Sequence, residues 1–225
     1  MRKQIIKNAG VLGIAFLILI VFGCGWNKTQ KGAAIGVGTG AAIGGYIGSR
    51  TNNTALGAII GAAVGGATGV VIGRYMDKQA EELQRDLHNA KVERVGEGIK
   101  ITFDSGILFD IDKYDLKSAA KTNIESLSKV LQKYPDTNVL IEGHTDNTGS
   151  KAHNFDLSEK RANAVSFYAS SLGVMTSRMS KKGYADEQPI GDNSTASGRE
   201  QNRRVEVAIM ANKKLKKAAE KGEMH

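Results

Sequence analysis

Apolar positions follow three different rhythms along this chain. From Val11 to Phe22 they run almost unbroken. From Gly32 to Gly73 small apolar residues are interrupted by glycine at every fourth position. Beyond Gly98 the spacing switches between two and three-to-four, as strands and amphipathic helices require in turn. Ile99, Ile101 and Phe103 share one face of a strand. Leu116, Ala120, Ile124, Leu127 and Leu131 form a helical stripe that Pro135 stops. "NVLIEGH" is a second strand, ending at His144. "DLSEKRANAVSFYASSLG" reads as a second helix, with Asp156 and Glu159 as a capping box, Leu157, Ala164, Val165, Tyr168 and Leu172 as core stripe, and Gly173 as stop. "MSKKGYAD" and "RRVEVAIMA" supply two last strands across the polar "EQPIGDNSTASGREQN". The order strand, helix, strand, helix, strand, strand predicts an α+β sandwich, βαβαββ, with helices over one face of a mixed sheet.

The glycines upstream fall into register. Gly32, Gly36, Gly40, Gly44 and Gly48 form one run, and Gly57, Gly61, Gly65, Gly69 and Gly73 a second. On a helix this spacing makes a ridge without side chains that admits a second helix closely, and "SRTNNT" between the runs reads as a turn. Each run would span about 25 Å, and a helical hairpin over 32–73 is expected. In water each helical glycine costs up to about 1 kcal/mol relative to alanine, so the hairpin needs close packing, lipid or self-association. Insertion into a bilayer and a packed spacer outside it both satisfy the pattern, because Arg50 and Arg74 bracket the second run. From Tyr75 to Val95 the chain turns charged, with Met76, Ala80, Leu83, Leu87 and Ala90 near heptad spacing, which predicts a helical connector over 74–97.

Composition narrows the functional classes. The formal charge of +8 includes Arg2, Lys3 and Lys7, and much of the rest lies in the tail "KKLKKAAEKGEMH", expected to be solvated. No concentrated basic face with interleaved aromatics appears, which argues against a nucleic-acid partner. The lone Cys24 excludes an internal disulfide and a cysteine-rich metal site. It follows a positive segment, an apolar run and Gly23, the layout of a secretory signal. "VFGC" at 21–24 resembles a bacterial lipobox, although Phe22 is bulky for one. That resemblance implies acylation of Cys24, palmitate included, after removal of residues 1–23, and Gly25 behind the cysteine implies the outer membrane. The glycine segment likewise resembles the glycine-zipper domains of envelope lipoproteins.

One stretch joins candidate chemistry to the fold. Glu142 turns the second strand polar, His144, Thr145 and Asp146 follow, and Arg161 lies about one turn into the next helix. Asp146 and Arg161 can converge on one cleft, with Asn154 and "NRR" at 202–204 at its mouth. A charged pair of opposite sign suits a ligand carrying both signs. The same residues also fit a plain reading, with Asp146 opening the "DNTG" turn and Arg161 pairing with a surface glutamate.

The wider pattern adds to this. "FD" at 109–110, "EGHTDNTG" at 142–149, Asn154, "LSEKRA" at 157–162, "KGYAD" at 182–186, "QP" at 188–189 and "GREQNRRVE" at 198–206 together resemble the OmpA-like peptidoglycan-binding domain, over Gly98 to Met210. The resemblance implies non-covalent binding of the wall's diaminopimelate, with Asp146 and Arg161 as the family's ligand pair and Asp110, Thr145, Asn154 and Arg203 in support. Phe155 and Asp156 depart from commoner forms at the rim. The expected organisation is a signal peptide over 1–23, a tether over 24–31, the zipper hairpin over 32–73, the connector over 74–97, the wall-binding domain over 98–210 and a basic tail over 211–225.

Two rival readings remain at this level. His144, His153, Asp146 and Glu142 lie near one another in sequence, as a hydrolase or metal site would need, but show no recognised ligand spacing and no activated nucleophile. An oligomeric, membrane-active or pore-like glycine-zipper assembly would use the wall domain only as a clamp. The expectation is a non-enzymatic protein without cofactor or metal, partnered by peptidoglycan, outer-membrane lipid and, through the zipper, further copies of itself. It would face the periplasm from the outer membrane.

Overall fold

The computed structural model describes residues 53–223. The expected signal segment, Cys24, the tether and the first glycine run lie outside them. Five strands form one sheet in the order β1-β2-β5-β3-β4. They are β1 (Ala90–Val95), β2 (Gly98–Asp104), β3 (Thr137–Gly143), β4 (Met179–Gly183) and β5 (Arg204–Ala211). All neighbours run antiparallel except β3 and β4, so the sheet is mixed. The α+β architecture predicted from periodicity is the one observed. β5 is central, with Val207 opposite both Ile101 and Ile141, and its apolar face shares a core with Ile99, Phe103 and Val139.

The helices over that face come from different parts of the chain. α4 (Ser118–Lys133) buries Ala120, Ile124, Leu127 and Leu131, as their spacing required. α5 (Lys151–Ser171) begins one and a half turns earlier than Asp156 and Glu159 suggested. Its cap is Ser150, whose Oγ accepts from the His153 amide at 3.2 Å. Asp156 is therefore inside the helix, where it pairs with Lys160 at 2.7 Å. Two glycines let α5 lie against the strand ends. A side chain on Gly143 would meet the Ser158 carbonyl at 2.0 Å, and one on its register partner Gly183 would meet the Glu159 amide at 2.6 Å. Arg178, in a 3-10 turn at 176–178, donates to the carbonyls of Leu131, Tyr134 and Thr137 and knots α4 to β3.

Outside the domain the structure corrects three expectations. The connector is not helical throughout. Helix α2 (Gly66–Asp86) ends at Leu87, Asn89 turns the chain with φ 55°, and β1 follows. Gly96, at φ 53°, opens the two-residue loop between β1 and β2, which "VERVGEGIK" encodes as a hairpin. The stripe Ile72, Met76, Ala80, Leu83 faces this chain's own core. The second glycine run, in turn, is not one helix. α1 (Thr54–Ala62) stops, and α2 restarts at Gly66 after Gly65 and Gly66 take φ of 73° and 63°, a conformation glycine adopts without steric cost. Glu97 seals that break by accepting from the amides of Val64 at 2.7 Å and Gly65 at 2.6 Å. Gly69 leaves room for the same carboxylate. Finally, the basic tail is docked: α7 (Lys213–Lys221) is capped by Asn212 and buries Leu215 and Ala219 in the main core.

The sheet is covered on both faces. α1 lies on the face opposite the main core, where Ala55 and Ile59 pack with Ala208. Gly98 permits this approach, because a side chain there would meet Ile59 at 2.6 Å. Among the described residues no helix is long and apolar enough to cross a membrane.

Candidate functional site

Past Gly143 the β3 backbone is held on both sides. His144 N–H donates to Arg204 O at 3.0 Å and Thr145 N–H to Ala185 O at 2.8 Å. This fixes Asp146 at the mouth of a cleft of about 560 Å³ beside the N-terminal half of α5. All six residues singled out from sequence, Asp110, Thr145, Asp146, Asn154, Arg161 and Arg203, line that cleft. Two short helices complete it. α3 (Ser105–Leu108), capped by Asp104, places Phe109 and Asp110 on one wall, and α6 (Ala196–Asn202), capped by Thr195, brings Arg199 and Arg203 to another.

The charges are balanced and oriented. Asp146 Oδ2 accepts from Arg203 Nη1 at 2.6 Å, and Oδ1 accepts from the Thr148 amide at 2.8 Å. Burial opposes ionisation, but the hydrogen bonds from Arg203 and Thr148 outweigh it and hold the Asp146 carboxyl below its ordinary value. A carboxylate offers about four lone-pair sites, so two remain for a ligand ammonium. Arg161 is 4% exposed and stacks over Phe109 at 5.2 Å. Burial pulls its guanidinium somewhat below the usual arginine range. Its Nε donates to Lys113 O at 3.0 Å, and among the described residues its two terminal nitrogens have no acceptor. They form the free prongs of a fork suited to a carboxylate. Asn154 donates to the carbonyls of Asp146 and Thr148 and so holds the loop between the two charged groups.

Asp146 does not pair with Arg161, because Arg203 neutralises it. Arg199, Phe109 and His153 belong to the same cleft. The sequence pattern includes Phe109 and the hydrolase reading His153, but Arg199 carries no site role there. Arg199 stands four residues before Arg203, a helical spacing that recognition of α6 in "TASGREQN" would have exposed. His153 pairs with Asp112, held at φ 57°, at 2.7 Å.

The imagined hydrolase set divides between two places. His153 and Asp146 line the cleft, whereas Glu142 and His144 project from the other sheet face beneath α1. There Glu142 stands directly opposite Glu206 in register. Donor atoms of Glu142, His144 and Glu206 lie within 4.8 Å of one another. The donor set resembles a metal site, yet cations already occupy its surroundings. Arg204 Nε donates to Glu206 at 2.6 Å, Lys100 Nζ stands 4.0 Å from it, and Asn53 Nδ2 donates at 3.2 Å. A divalent ion would add two charges to a group these partners already neutralise, so the residues fit a proton-balanced cluster better than a metal centre. Burial, then the facing Glu206, pushes the Glu142 carboxyl up to about 7. Burial, then Arg204 and Lys100, holds the His144 imidazole well below its ordinary value. His144 stacks on Tyr184 with centroids 5.6 Å apart.

With the geometry in view, likeness to known proteins becomes informative. Residues 108–203 match the OmpA family, a span that contains all six cleft residues. The chain is 36% identical to Probable lipoprotein YiaD of Escherichia coli (strain K12) over 219 residues, covering 93% of this chain and 99% of that protein. The chain belongs to the OmpA family. Residues 1–77 match the YMGG-like Gly-zipper, so that module reaches into α2. Outer membrane porin F of Pseudomonas aeruginosa is 40% identical over 121 residues, 53% of this chain but 34% of that porin, so only the OmpA-like part is shared. The fold is also that of a MotB-like protein from Desulfovibrio vulgaris, with TM-score 0.57 at 19% identity, over 63% of this chain and 94% of that one.

Proposed function

We propose that this OmpA-family protein binds peptidoglycan non-covalently, taking the diaminopimelate end of a stem peptide into the Asp146–Arg161 cleft, and that acylated Cys24 holds it to the outer membrane. The observation that carries this reading is a cleft lined by three guanidiniums, Arg161, Arg199 and Arg203, and three carboxylates, Asp110, Asp112 and Asp146. A zwitterion loses two sets of water contacts on binding, and both must be replaced at once. The ammonium takes the two open lone-pair positions of Asp146, and the carboxylate takes the fork of Arg161. Charge-assisted bonds contribute about 1.5–3 kcal/mol each, which gives modest affinity for one stem peptide. The wall repeats the ligand and a lipid anchor keeps the protein beside it, so effective concentration compensates. The reading includes no catalytic step, and its lipid anchor agrees with the name of the lipoprotein relative.

Co-sedimentation with purified sacculi tests the cleft. Asp146→Ala and Arg161→Ala are each expected to abolish sedimentation with unchanged far- and near-UV circular dichroism. Undiminished sedimentation of both folded variants would refute the assignment.

A further inference from the structure

Beside the cleft lies a second, shallow groove of about 640 Å³ along the C-terminal half of α5. The two share no lining residue, but the segment from Phe109 to Leu116 passes from one to the other. Residues 109–112 of that segment face the cleft, and Tyr114 and Leu116 face the groove. Lys113 is the divide, since its carbonyl holds Arg161 Nε. α5 shows the same continuity: Arg161 lines the cleft, while Lys160, Ala164, Phe167 and Tyr168 line the groove.

The lining of the groove has its own chemistry. Phe167 is 79% exposed and Tyr114 45%. Exposed aromatic rings offer flat apolar faces. Lysines stand over two of the rings: Lys160 Nζ is 5.3 Å from the centre of Tyr114, and Lys121 Nζ is 5.9 Å from that of Tyr168. The groove therefore presents aromatic faces with ammonium groups at their edges. That combination suits a saccharide ring, whose C–H face stacks on an aromatic while pendant carboxylates reach the lysines.

We propose that this groove is a second subsite, which receives the sugar-proximal part of the same polymer whose amino-acid tip enters the cleft. The inference rests on the reading given under Proposed function. Distances favour it. From Arg161 to Phe167 α5 advances about 9 Å at 1.5 Å per residue, and two to three residues of extended peptide cover about 7–10 Å. A stem peptide held by its tip thus has the length to bring an N-acetylated sugar onto Phe167 and Tyr114 as it curves around α5. The free carboxylates of the stem then fall near Lys121 and Lys160.

Calorimetric titration of the full chain in detergent with three ligands tests the subsite: free diaminopimelate, the sugar-free stem tripeptide and the disaccharide tripeptide. The disaccharide tripeptide is expected to bind at least about tenfold tighter than the sugar-free one, a gain of about 1.4 kcal/mol. Phe167→Ser, at an exposed position, should remove most of that gain, and Lys121→Gln part of it, with the affinity for free diaminopimelate unchanged. Equal affinity of the wild type for both peptides overturns the subsite while leaving the cleft intact. So does a sugar gain that survives Phe167→Ser. Binding of anionic vesicles that depends on Phe167 and Lys121, without a sugar gain, reassigns the groove to lipid. Loss of binding to all three ligands removes the cleft reading and this one together.

Discussion

The buried Glu142–His144 pair has a pH signature that each residue alone would not give. Unfolded, the two groups titrate near 4.5 and 6.5. Between those values the unfolded chain carries an ionised glutamate and a protonated histidine. The folded chain carries a protonated Glu142, whose carboxyl is raised to about 7, and a neutral His144. Each state then holds one proton on the pair, so the pair contributes no slope to stability from pH 4.5 to 6.5. Glu142→Gln exposes the histidine. Its folded value lies below its unfolded one, so stability is lost as pH falls below 6.5, at up to about 1.4 kcal/mol per pH unit. His144→Leu exposes the carboxyl instead. Its folded value is raised, so the contribution present below 4.5 is lost as pH rises to about 7, in total about 3 kcal/mol at 1.36 kcal/mol per unit. The charged side chains that face the pair are Glu206, Arg204, Lys100 and Lys182. Asp146 and Glu82, both lowered from ordinary values of 3.8 and 4.5, act below it. Urea unfolding of the full chain in detergent at half-unit steps measures all three profiles. Parallel profiles for wild type and both variants would refute the proton exchange.

Two further predictions concern how the cleft is held. Gly143→Ala should destabilise the chain by about 3 kcal/mol or more, because the new methyl overlaps the Ser158 backbone and no flexible side chain can yield; chemical denaturation with an unchanged midpoint would contradict the close approach of α5. Arg178→Met keeps most of the volume but removes the donors of three buried carbonyls and leaves those of Leu131 and Thr137 without this partner, so a loss of about 2–5 kcal/mol is expected in the same assay.

Much of this was legible in the sequence where periodicity and packing agree. The stripes Ala120–Leu131 and Ile99–Phe103 and the strand "VEVAIM" follow from periodicity, whereas Leu116, read into the helical stripe, lies before the helix that starts at Ser118. Asp146 and Arg161 reached the same cleft because a strand end and the first turns of the next helix point the same way. Other features were decided by contacts distant in sequence. The glycine run looked continuous, and only Glu97, brought there by the hairpin, shows why it breaks at Gly65. β1 was hidden because "AKVERV" has helix formers and a heptad echo, while its pairing partner β2 lies beyond the glycines. The ion pair of Asp146 with Arg203 is set by the fold, because Arg203 lies 57 residues away and no spacing rule reaches it.

The position of α1 bears on how a tether would carry load. Asn53 donates to Glu206, Gln188 and Thr54 hydrogen-bond each other, and Ile59 sits against Gly98, so the chain is fastened to the sheet from residue 53 onward. Glu206 belongs to β5, the central strand, hydrogen-bonded to β2 on one side and β3 on the other. Arg203, immediately before β5, is the residue that meets Asp146 in the cleft. In the tether proposed here, the membrane end and the wall end therefore act on the same strand, from its outer face and from its N-terminal tip. Tension between them would shear β5 against two ladders whose bonds must break together, instead of peeling a loop or an edge strand one bond at a time. An attachment through β1 or α7 would have placed an edge strand or a terminal helix in the path, and such elements open at the lowest free energies in a fold. The docking of α1 onto this sheet face is what buries Glu206 and Arg204, and their mutual hydrogen bond at 2.6 Å satisfies both charges beneath it.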